Sequence, residues 1–415
     1  MVDVVGLTDV VDTIIARGDD GFDELAGVCS TFVGGLVRTI YAHGGDVVEF
    51  AGPTLVCIFH AGHIGGGSGA DVQRAACVRA MECAWGLRTA TTSKLAIRVG
   101  VSSGEMSVGL LGGCTNVWRL LLAGPCRSHL ATALPDAPSA GVLVSLDVHK
   151  VISGITDTDF AYGAVPWKTS SKGDLYHVTA FTKPGSAALA TTTKARHGPL
   201  TMDITSHGPQ QIDYMTQIYA FIPHPVPWAV VEGTFDALRD IADATCLCVR
   251  LDGYEDVTHN RDLWALQSYL YACQEILADV GGYVSQFTVD ARGCVLVALW
   301  GVPGAAFEDG PLRAVGAAVR IRNQLLEMKM PCSLAITFGP AFCGCMGHDM
   351  RRDYVALGSA VEVASVAVNR FKNDIVVDTP TLSSVGDGIG RKFRPLPSMT
   401  VREGDPKVSL VKEAF

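Results

Sequence analysis

Two groups of cysteine and histidine residues have the residue types of a metal site. One is Cys343-x-Cys345-x-x-His348, and Cys246-x-Cys248 could supply two further ligands. Four soft ligands of this kind suit tetrahedral Zn²⁺. Cys246 and Cys248, however, lie in an apolar run, and alternate side chains of a strand point to the same side and pack inside. We therefore favour buried core thiols over a zinc site.

A glycine-rich run, His63–Gly69, has the composition of a phosphate-binding loop. No Lys-Ser or Lys-Thr pair follows it, and the strand-to-helix setting of such a loop is not evident. The run therefore predicts a loop between a hairpin and a helix. No Ser-His-Asp or Cys-His arrangement for nucleophilic catalysis can be assigned from the sequence.

The segments that would position functional residues occur twice along the chain. Gly44–Phe50 recurs as Gly281–Phe287, and each is followed by an apolar run. Gly104–Gly112 recurs as Gly339–Gly347, and the order of these blocks is the same in both halves. Self-similarity on this scale indicates two copies of one domain.

Each copy has the pattern of a strand, a helix, a hairpin, a second helix and a second hairpin. The predicted helices are, in chain order, Asp23–Ala42, Asp71–Leu87, Asp262–Val280 and Pro311–Met328. The Gly-Gly pair that opens each first hairpin suits a sharp reversal of the chain. Because β-α-β-β-α-β is the order of a ferredoxin-like unit, the sequence predicts an α+β fold with two ferredoxin-like domains.

The domain boundaries follow from the composition between the copies. Gly185–Gln211 is rich in Ala, Thr, Gly and Pro without periodicity, and three prolines lie within Phe221–Trp228. Proline is excluded from helix interiors and central strands. We predict a first domain over residues 1–182, a linker and approach segment over 183–234, and a second domain over 235–415.

Composition excludes several classes of protein. The chain has 415 residues, of which 48% are hydrophobic and 18% charged, which argues against a disordered chain. Its formal net charge of -9 argues against a nucleic-acid binder. Apolar runs such as Cys294–Trp300 are too short to span a bilayer, so no membrane insertion is expected. Thirteen cysteines without a secretory signal at the N-terminus predict a reducing, cytoplasmic setting.

The repeated blocks resemble a known family. Gly339–Gly358 resembles the second catalytic domain of the soluble adenylyl cyclases, and Gly44–Phe59 resembles the first. The resemblance extends from Asp3 to about Arg370. It implies two class III cyclase homology domains packed as a pseudo-twofold intramolecular dimer, with one active and one degenerate site between them.

The resemblance also indicates where the first domain would hold metal. In such cyclases two aspartates bind two Mg²⁺ ions on the phosphates of ATP. The first falls on Asp3 and the second on Pro53, which offers no ligand. Asp46 nearby is interpreted as a turn residue that bonds its own backbone.

In the second domain the resemblance places a ribose-orienting asparagine at Glu362 and a transition-state arginine at Val366. A polar residue that helps to read adenine falls on Val355. Arg370 lies one helical turn beyond Val366 and is a candidate substitute for the missing arginine. Arg292 lies near a cationic position of the family, so Arg292 and Val355 are candidate residues of a vestigial nucleotide pocket.

Glu49 replaces a lysine that helps to hold bicarbonate in the family's degenerate site. A carboxylate repels an anion, so bicarbonate activation is not expected. Loss of an arginine that acts on phosphoryl charge costs on the order of 10³–10⁵ in rate. Loss of one preorganised donor costs roughly 10²–10³. The sequence therefore predicts a site that is catalytically dead or nearly so.

We expect a pseudoenzyme that serves as a structural or interaction subunit with protein partners. By resemblance, its setting is the cytoplasm or a cilium or flagellum, as part of an axonemal assembly. Mg²⁺ and ATP are expected only if the pocket is retained. The alternatives are an active adenylyl or guanylyl cyclase that uses Mg²⁺ or Mn²⁺, and a nucleotide sensor without turnover.

Overall fold

The structure is a computed structural model. It describes residues 1–18, 22–60, 69–155, 160–170, 173–182, 218–222, 224–254, 260–291, 293–386, 393–401 and 407–413. Most of the glycine-rich run His63–Gly69, the whole of Gly185–Gln211, and Arg292 lie outside these ranges. The predicted domain limits at residues 182 and 235 therefore stay predictions.

The first half of the chain forms a mixed seven-stranded sheet and a separate hairpin. Its elements are β1 (Val2–Val5), α1 (Leu7–Ile15), α2 (Phe22–Gly27), α3 (Val33–Ala42), β2 (Asp46–Ala51), β3 (Thr54–Ile58), α4 (Gly69–Leu87), β4 (Ala96–Val101), β5 (Ser107–Gly112), β6 (Trp118–Ala123), α5 (Pro125–Ala133), β7 (Val142–Ser145), α6 (Leu146–Ser153), β8 (Ala161–Ser170) and β9 (Gly173–Thr182). The strand order is β2-β3-β1-β4-β7-β9-β8, and β5 pairs with β6. Strands β4 and β7 are parallel, and the other described pairs are antiparallel.

The second half repeats this architecture. Its elements are α7 (Val226–Glu232), β10 (Asp240–Leu251), α8 (Asn260–Asp279), β11 (Tyr283–Asp290), β12 (Gly293–Trp300), α9 (Gly310–Glu327), β13 (Cys332–His348), β14 (Arg351–Leu357), α10 (Ser359–Arg370), β15 (Ile375–Asp378), α11 (Thr379–Val385), β16 (Phe393–Pro395) and β17 (Leu410–Glu413). The order β11-β12-β10-β13-β15-β17-β16 matches the seven positions of the first sheet, but here β14 pairs with β13 as an eighth strand, whereas β5 and β6 form a separate hairpin. In each sheet the first four positions have the ferredoxin-like order, which confirms the predicted fold class.

The Gly-Gly pairs of the repeat have the same structural role in both halves. Gly44 and Gly281 adopt φ values of 74° and 71°, a left-handed conformation that glycine adopts without strain. A Cβ atom on Gly45 or Gly282 would lie closer than 3.0 Å to an aromatic ring. Each pair therefore allows both the sharp turn and the close packing of the following strands.

The helical region predicted over Asp23–Ala42 contains a π-helical turn, Val28–Phe32, between α2 and α3. Among the described residues it is the one helical run long and apolar enough to cross a membrane, by length and composition alone. Helix α3 packs against β13 of the second half. Gly34 allows this approach, because a Cβ there would lie 2.8 Å from the carbonyl oxygen of Gly347. A buried core helix meets the same membrane criterion.

The two domains pack through reciprocal contacts. The β5–β6 hairpin packs on α8 and β11, and β13 and β14 pack on α3 and β2. Gln267 of α8 bonds both backbone groups of Gly112, accepting from its N–H and donating to its carbonyl oxygen at 2.8 Å each. Leu121 joins the core of the second domain, and Phe342 joins that of the first. This exchange is the pseudo-twofold pairing expected from the sequence.

Candidate functional site

A cavity of about 550 Å³ lies between the two domains, and we call it the inter-domain cleft. Asp3 and Pro53 line it from the first domain, and Glu362 and Val366 line it from the second. The fold thus brings together four positions that the sequence analysis identified in distant parts of the chain. The β1 strand and the β2–β3 turn supply the first pair, and α10 supplies the second.

The Asp3 carboxylate has two neighbours on adjacent strands. Asp3 stands opposite Thr54 of β3 and opposite Arg98 of β4. Thr54 Oγ1 donates a hydrogen bond to Asp3 Oδ1 at 2.9 Å, and Arg98 Nη1 lies 3.9 Å from Asp3 Oδ2. Arg98 also donates to the carbonyl oxygen of Pro135 at 2.7 Å, which holds its guanidinium in place. A cation at this distance competes with a metal ion for the carboxylate.

Pro53 lies in the turn between β2 and β3. Gly52, which precedes it, has a φ of 62°, and the Pro53 carbonyl oxygen accepts a hydrogen bond from the Val4 N–H at 3.1 Å. Its side chain is hydrocarbon and lines the cleft. The backbone of the turn is therefore tied to β1, but the position offers no oxygen from a side chain.

These residues do not fit a two-metal site. Mg²⁺ binds through carboxylates and phosphates in nearly octahedral geometry. Asp3 contacts Thr54 and Arg98, and Pro53 stands where a second carboxylate would be needed. In the described part of the chain, no group of three or more His, Cys, Asp or Glu side chains is arranged to hold a metal ion.

The cysteines considered for zinc lie in the second domain's sheet. Cys246 and Cys248 are fully buried, with their Sγ atoms 4.0 Å apart. Burial raises the pKa of the Cys343 thiol to about 12 and that of Cys345 to about 11. Zinc binds thiolates, and these environments favour neutral thiols.

Helix α10 presents one side to the cleft. Glu362, Ser365, Val366 and Asn369 line the cavity at helical spacing. Arg370 is not among the lining residues, and its guanidinium lies 5.8 Å from the ring centroid of the neighbouring Phe371. The structure thus places Asn369, not Arg370, next to the position that Val366 occupies.

The two residues suggested for a nucleotide pocket have different outcomes. Val355 of β14 is 2% exposed and belongs to the core of the first domain, outside the described lining of the cleft. Its neighbours Ala356 and Leu357 line the cleft instead. Arg292 lies outside the described residues.

Beside Val355, burial raises the pKa of Asp353, and the guanidiniums of Arg351 and Arg119 partly offset this effect. Arg351 Nη2 lies 3.4 Å from Asp353 Oδ2, and Arg351 Nε donates to the Val47 carbonyl oxygen at 3.2 Å. Arg351 therefore contacts protein groups of both domains at the interface.

An ion pair at the other end of the cleft was not predicted. Arg127 of α5 contacts both carboxylate oxygens of Glu49, with Nη1–Oε2 and Nη2–Oε1 distances of 2.8 Å and 3.0 Å. Its side chain is 3% exposed, and Nη1 also donates to the Leu122 carbonyl oxygen at 2.7 Å. Helix α5 follows Gly124 as α10 follows Gly358, so Arg127 is the counterpart of Val361 in the first turn of α10. Glu49 therefore has an internal cation as its partner.

The charged side chains that line the cleft are mainly acidic. They comprise four carboxylates and two guanidiniums: Asp3, Asp9, Asp290 and Glu362, with Arg98 and Arg127. Both guanidiniums contact carboxylates of the protein itself. A triphosphate without metal ions would therefore meet net negative charge.

Sequence comparison finds a distant relationship. No protein-family model matches the chain. Adenylate cyclase type 10 of Oryctolagus cuniculus is 24% identical over 119 residues, which is 28% of this chain and 7% of that protein. The protein of the same name from Homo sapiens is 23% identical over 119 residues. The match thus covers only a small part of these relatives.

Solved structures of cyclases also match. The adenylyl cyclase CyaB from P. aeruginosa has a TM-score of 0.38 and 18% identity over 43% of this chain and 96% of that one. A bacterial light-regulated adenylyl cyclase has a TM-score of 0.41 and 13% identity over 61% and 87% of the two chains. The chain described here has two α+β domains with ferredoxin-like strand order, and 119 of its residues have a distant sequence similarity to adenylate cyclase type 10.

Proposed function

We propose that this protein is a non-catalytic homologue of the nucleotide cyclases, in which the paired domains act as a structural or interaction subunit. The observation that carries the proposal is the environment of Asp3. Its carboxylate contacts Thr54 and Arg98, and Pro53 takes the place of a second acidic residue. A cyclase needs divalent ions at this point to activate the 3′ oxygen and neutralise pyrophosphate.

The second domain supports the same proposal. Glu362 adds a carboxylate to the side of the cleft from which an asparagine would orient ribose, and Val366 removes a cation from the transition state. Both residues weaken the binding of a polyanionic substrate, because one adds negative charge and the other lacks a positive charge. At the position of the family's degenerate site, the carboxylate of Glu49 already pairs with Arg127. Bicarbonate is therefore not expected to regulate this protein.

Protein partners are part of the proposal, because large apolar side chains are exposed on the second half. Trp228, Val231 and Trp264 are 62%, 69% and 72% exposed. Aromatic side chains such as these two tryptophans are enriched at protein interfaces relative to the rest of the surface. A cytoplasmic setting in a cilium or flagellum rests on the family resemblance alone. Localisation of a tagged chain in ciliated or flagellated cells tests it.

The direct test is cyclase activity. The purified chain is incubated with ATP or GTP and with Mg²⁺ or Mn²⁺, and cyclic nucleotide is measured by mass spectrometry against a control without protein. We expect no product above the control. Product from the natural chain would overturn the proposal in favour of an active cyclase.

A variant with Pro53→Asp, Glu362→Asn and Val366→Arg tests whether the architecture alone remains competent. We expect measurable product from it. The matched control is Val231→Arg with Glu232→Asn and Thr234→Asp, at exposed positions in and just after α7, which makes the same change in net charge away from the cleft. Product from the cleft variant but not from this control would show that the cleft chemistry, and not net charge, limits activity.

A further inference from the structure

One pair of equivalent positions in the two domains carries opposite charges. Gly112 and Gly347 end the same repeated block in the two halves. Counted from these glycines across each hairpin, the register places Arg119 on β6 and Asp353 on β14 at equivalent positions. The glycines that precede α5 and α10 follow both residues at the same distance along the chain, which gives the same alignment.

Arg119 and Asp353 are neighbours across the interface between the domains. Burial lowers the pKa of Arg119, and the Asp353 carboxylate opposes this shift. Burial raises the pKa of Asp353, and the guanidiniums of Arg351 and Arg119 oppose that shift. Two equivalent side chains meet only beside the axis that relates their domains. This pair of opposite charges therefore lies at the pseudo-twofold axis.

Each domain also anchors a guanidinium on the first hairpin of the other domain. The pairing of β2 with β3 shifts register after Val47, and the pairing of β11 with β12 shifts after the equivalent Val284. Arg351 Nε donates to the Val47 carbonyl oxygen at 3.2 Å, and Arg119 Nη2 donates to the Val284 carbonyl oxygen. The backbone of the second domain therefore holds Arg119 at the interface, with its charge beside Asp353.

Like domains packed in the same way would bring like charges together at this axis. Two first domains would bring together two copies of Arg119, and two second domains would bring together two copies of Asp353. Like charges that face each other disfavour an interface strongly, whereas an ion pair roughly balances the cost of burying its two charges. The pair is therefore better suited to discriminate between domains than to stabilise the fold.

We propose that Arg119 and Asp353 select the domain pairing of this protein, so that a first domain accepts a second domain and excludes a copy of itself. Two copies of the chain then assemble through this interface only by exchange, in which each first domain pairs with the second domain of the other chain. A separate protein that replaces the second domain needs a carboxylate at the position of Asp353. The proposal concerns assembly and does not depend on whether the cleft is catalytic.

The first experiment exchanges the charges between two full-length chains. One chain carries Arg119→Asp and the other carries Asp353→Arg, so that each chain alone has like charges at its axis. Domain exchange between the two chains restores two pairs of opposite charge. If each like pair weakens domain pairing roughly 100-fold, exchange is favoured by about 10⁴. Against an effective concentration on the order of 1 mM for linked domains, the exchanged complex has a dissociation constant of about 0.1 µM.

The two chains carry different affinity tags, are co-expressed and are purified through both tags in turn, and native mass spectrometry gives the stoichiometry. We expect a complex with one copy of each variant, and none from two natural chains or from two copies of one variant. The matched control is Asp279→Arg in one chain and Arg320→Asp in the other, which reverses an exposed pair within the second domain and is expected to give no complex. Absence of the mixed complex, or an equal yield from the control or from one variant with itself, would overturn the proposal.

The second experiment uses neutral residues in a single chain, so it remains informative if a charge-reversed chain does not fold. Arg119→Met leaves Asp353 without its partner from the first domain, and Asp353→Leu added to the same chain removes that carboxylate. The double variant is therefore expected to lose less stability than the two single variants together. We expect a coupling of at least about tenfold in the equilibrium constant of unfolding, measured in urea. Additive losses would contradict a pairing of the two charges.

Discussion

Removal of Glu49 alone is expected to destabilise the protein more than removal of its whole ion pair. The Arg127 side chain is 3% exposed and Glu49 is 20% exposed. Leaving one buried charge without its partner costs about 3–5 kcal/mol, whereas replacing the whole pair by apolar residues is often neutral. Glu49→Leu is therefore expected to lower the free energy of unfolding by about 3–5 kcal/mol. Glu49→Leu with Arg127→Met is expected to lower it by about 1–2 kcal/mol, because the Leu122 carbonyl oxygen still loses its donor.

The two single variants are expected to differ. Arg127→Met leaves a carboxylate that is 20% exposed and can keep part of its hydration, and it also leaves the Leu122 carbonyl oxygen without a donor. The expected loss is about 1–3 kcal/mol, smaller than for Glu49→Leu. This asymmetry follows from burial alone and does not require a functional role for the pair.

The measurement is urea unfolding of the natural chain, both single variants and the double variant, followed by circular dichroism. Unfolding midpoints are compared only between proteins whose free energy of unfolding has the same dependence on urea concentration. The coupling energy of the cycle is expected to exceed about 2 kcal/mol. Asp279→Ala, which breaks an exposed pair with Arg320, is the matched control and is expected to change little. Additive single losses in the cycle would refute the description of this pair as buried and coupled.

Three further predictions concern the interface and its charges. Gly34→Ala is expected to lower the free energy of unfolding in urea by about 1–3 kcal/mol, because its Cβ would lie 2.8 Å from the Gly347 carbonyl oxygen. Gly35→Ala is the control, because the space around Gly35 is open, and it is expected to be neutral or stabilising. Asp12→Ala is expected to lower the free energy of unfolding by about 1 kcal/mol, because Asp12 Oδ1 accepts a hydrogen bond from the first N–H of α10 at 2.9 Å. A variant as stable as the natural chain would contradict this. Burial raises the pKa of Asp353, so the stability it contributes is complete below about pH 4 and is lost as the pH rises. Asp353→Asn should therefore gain stability relative to the natural chain as the pH rises above about 4, and a difference that stays constant with pH would contradict the sign.

Much of the fold could be predicted because the repeat carries it in local signals. Gly44 and Gly281 mark the same turn in both halves, and helical spacing located α4, α8 and α9 to within a few residues. Helix α1 was missed because it begins directly after β1, with Gly6 at a φ of 85° and no side-chain cap to mark its start.

The site was predictable only in part. The family resemblance assigned four positions to one site, and the structure places all four in the cleft lining: Asp3, Pro53, Glu362 and Val366. The partners of these residues were not predictable.

Arg127 lies 78 residues from Glu49, and Arg98 meets Asp3 only through the pairing of β1 with β4. No local pattern marks such pairs, since each depends on strand register and on the approach of a helix. A buried position for Val355 depends likewise on how β14 packs on the first domain.

Two of the contacts that hold the domains together involve residues that do not line the cleft. Gln267 bonds Gly112 at one exchange, and Gly34 approaches Gly347 at the other. None of these four residues is among those that line the cleft. A substitution at position 53 would therefore change the chemistry of the cleft without altering these two contacts. A protein built in this way can lose its affinity for metal and phosphate while these contacts between its domains remain, which is what the proposed interaction subunit requires.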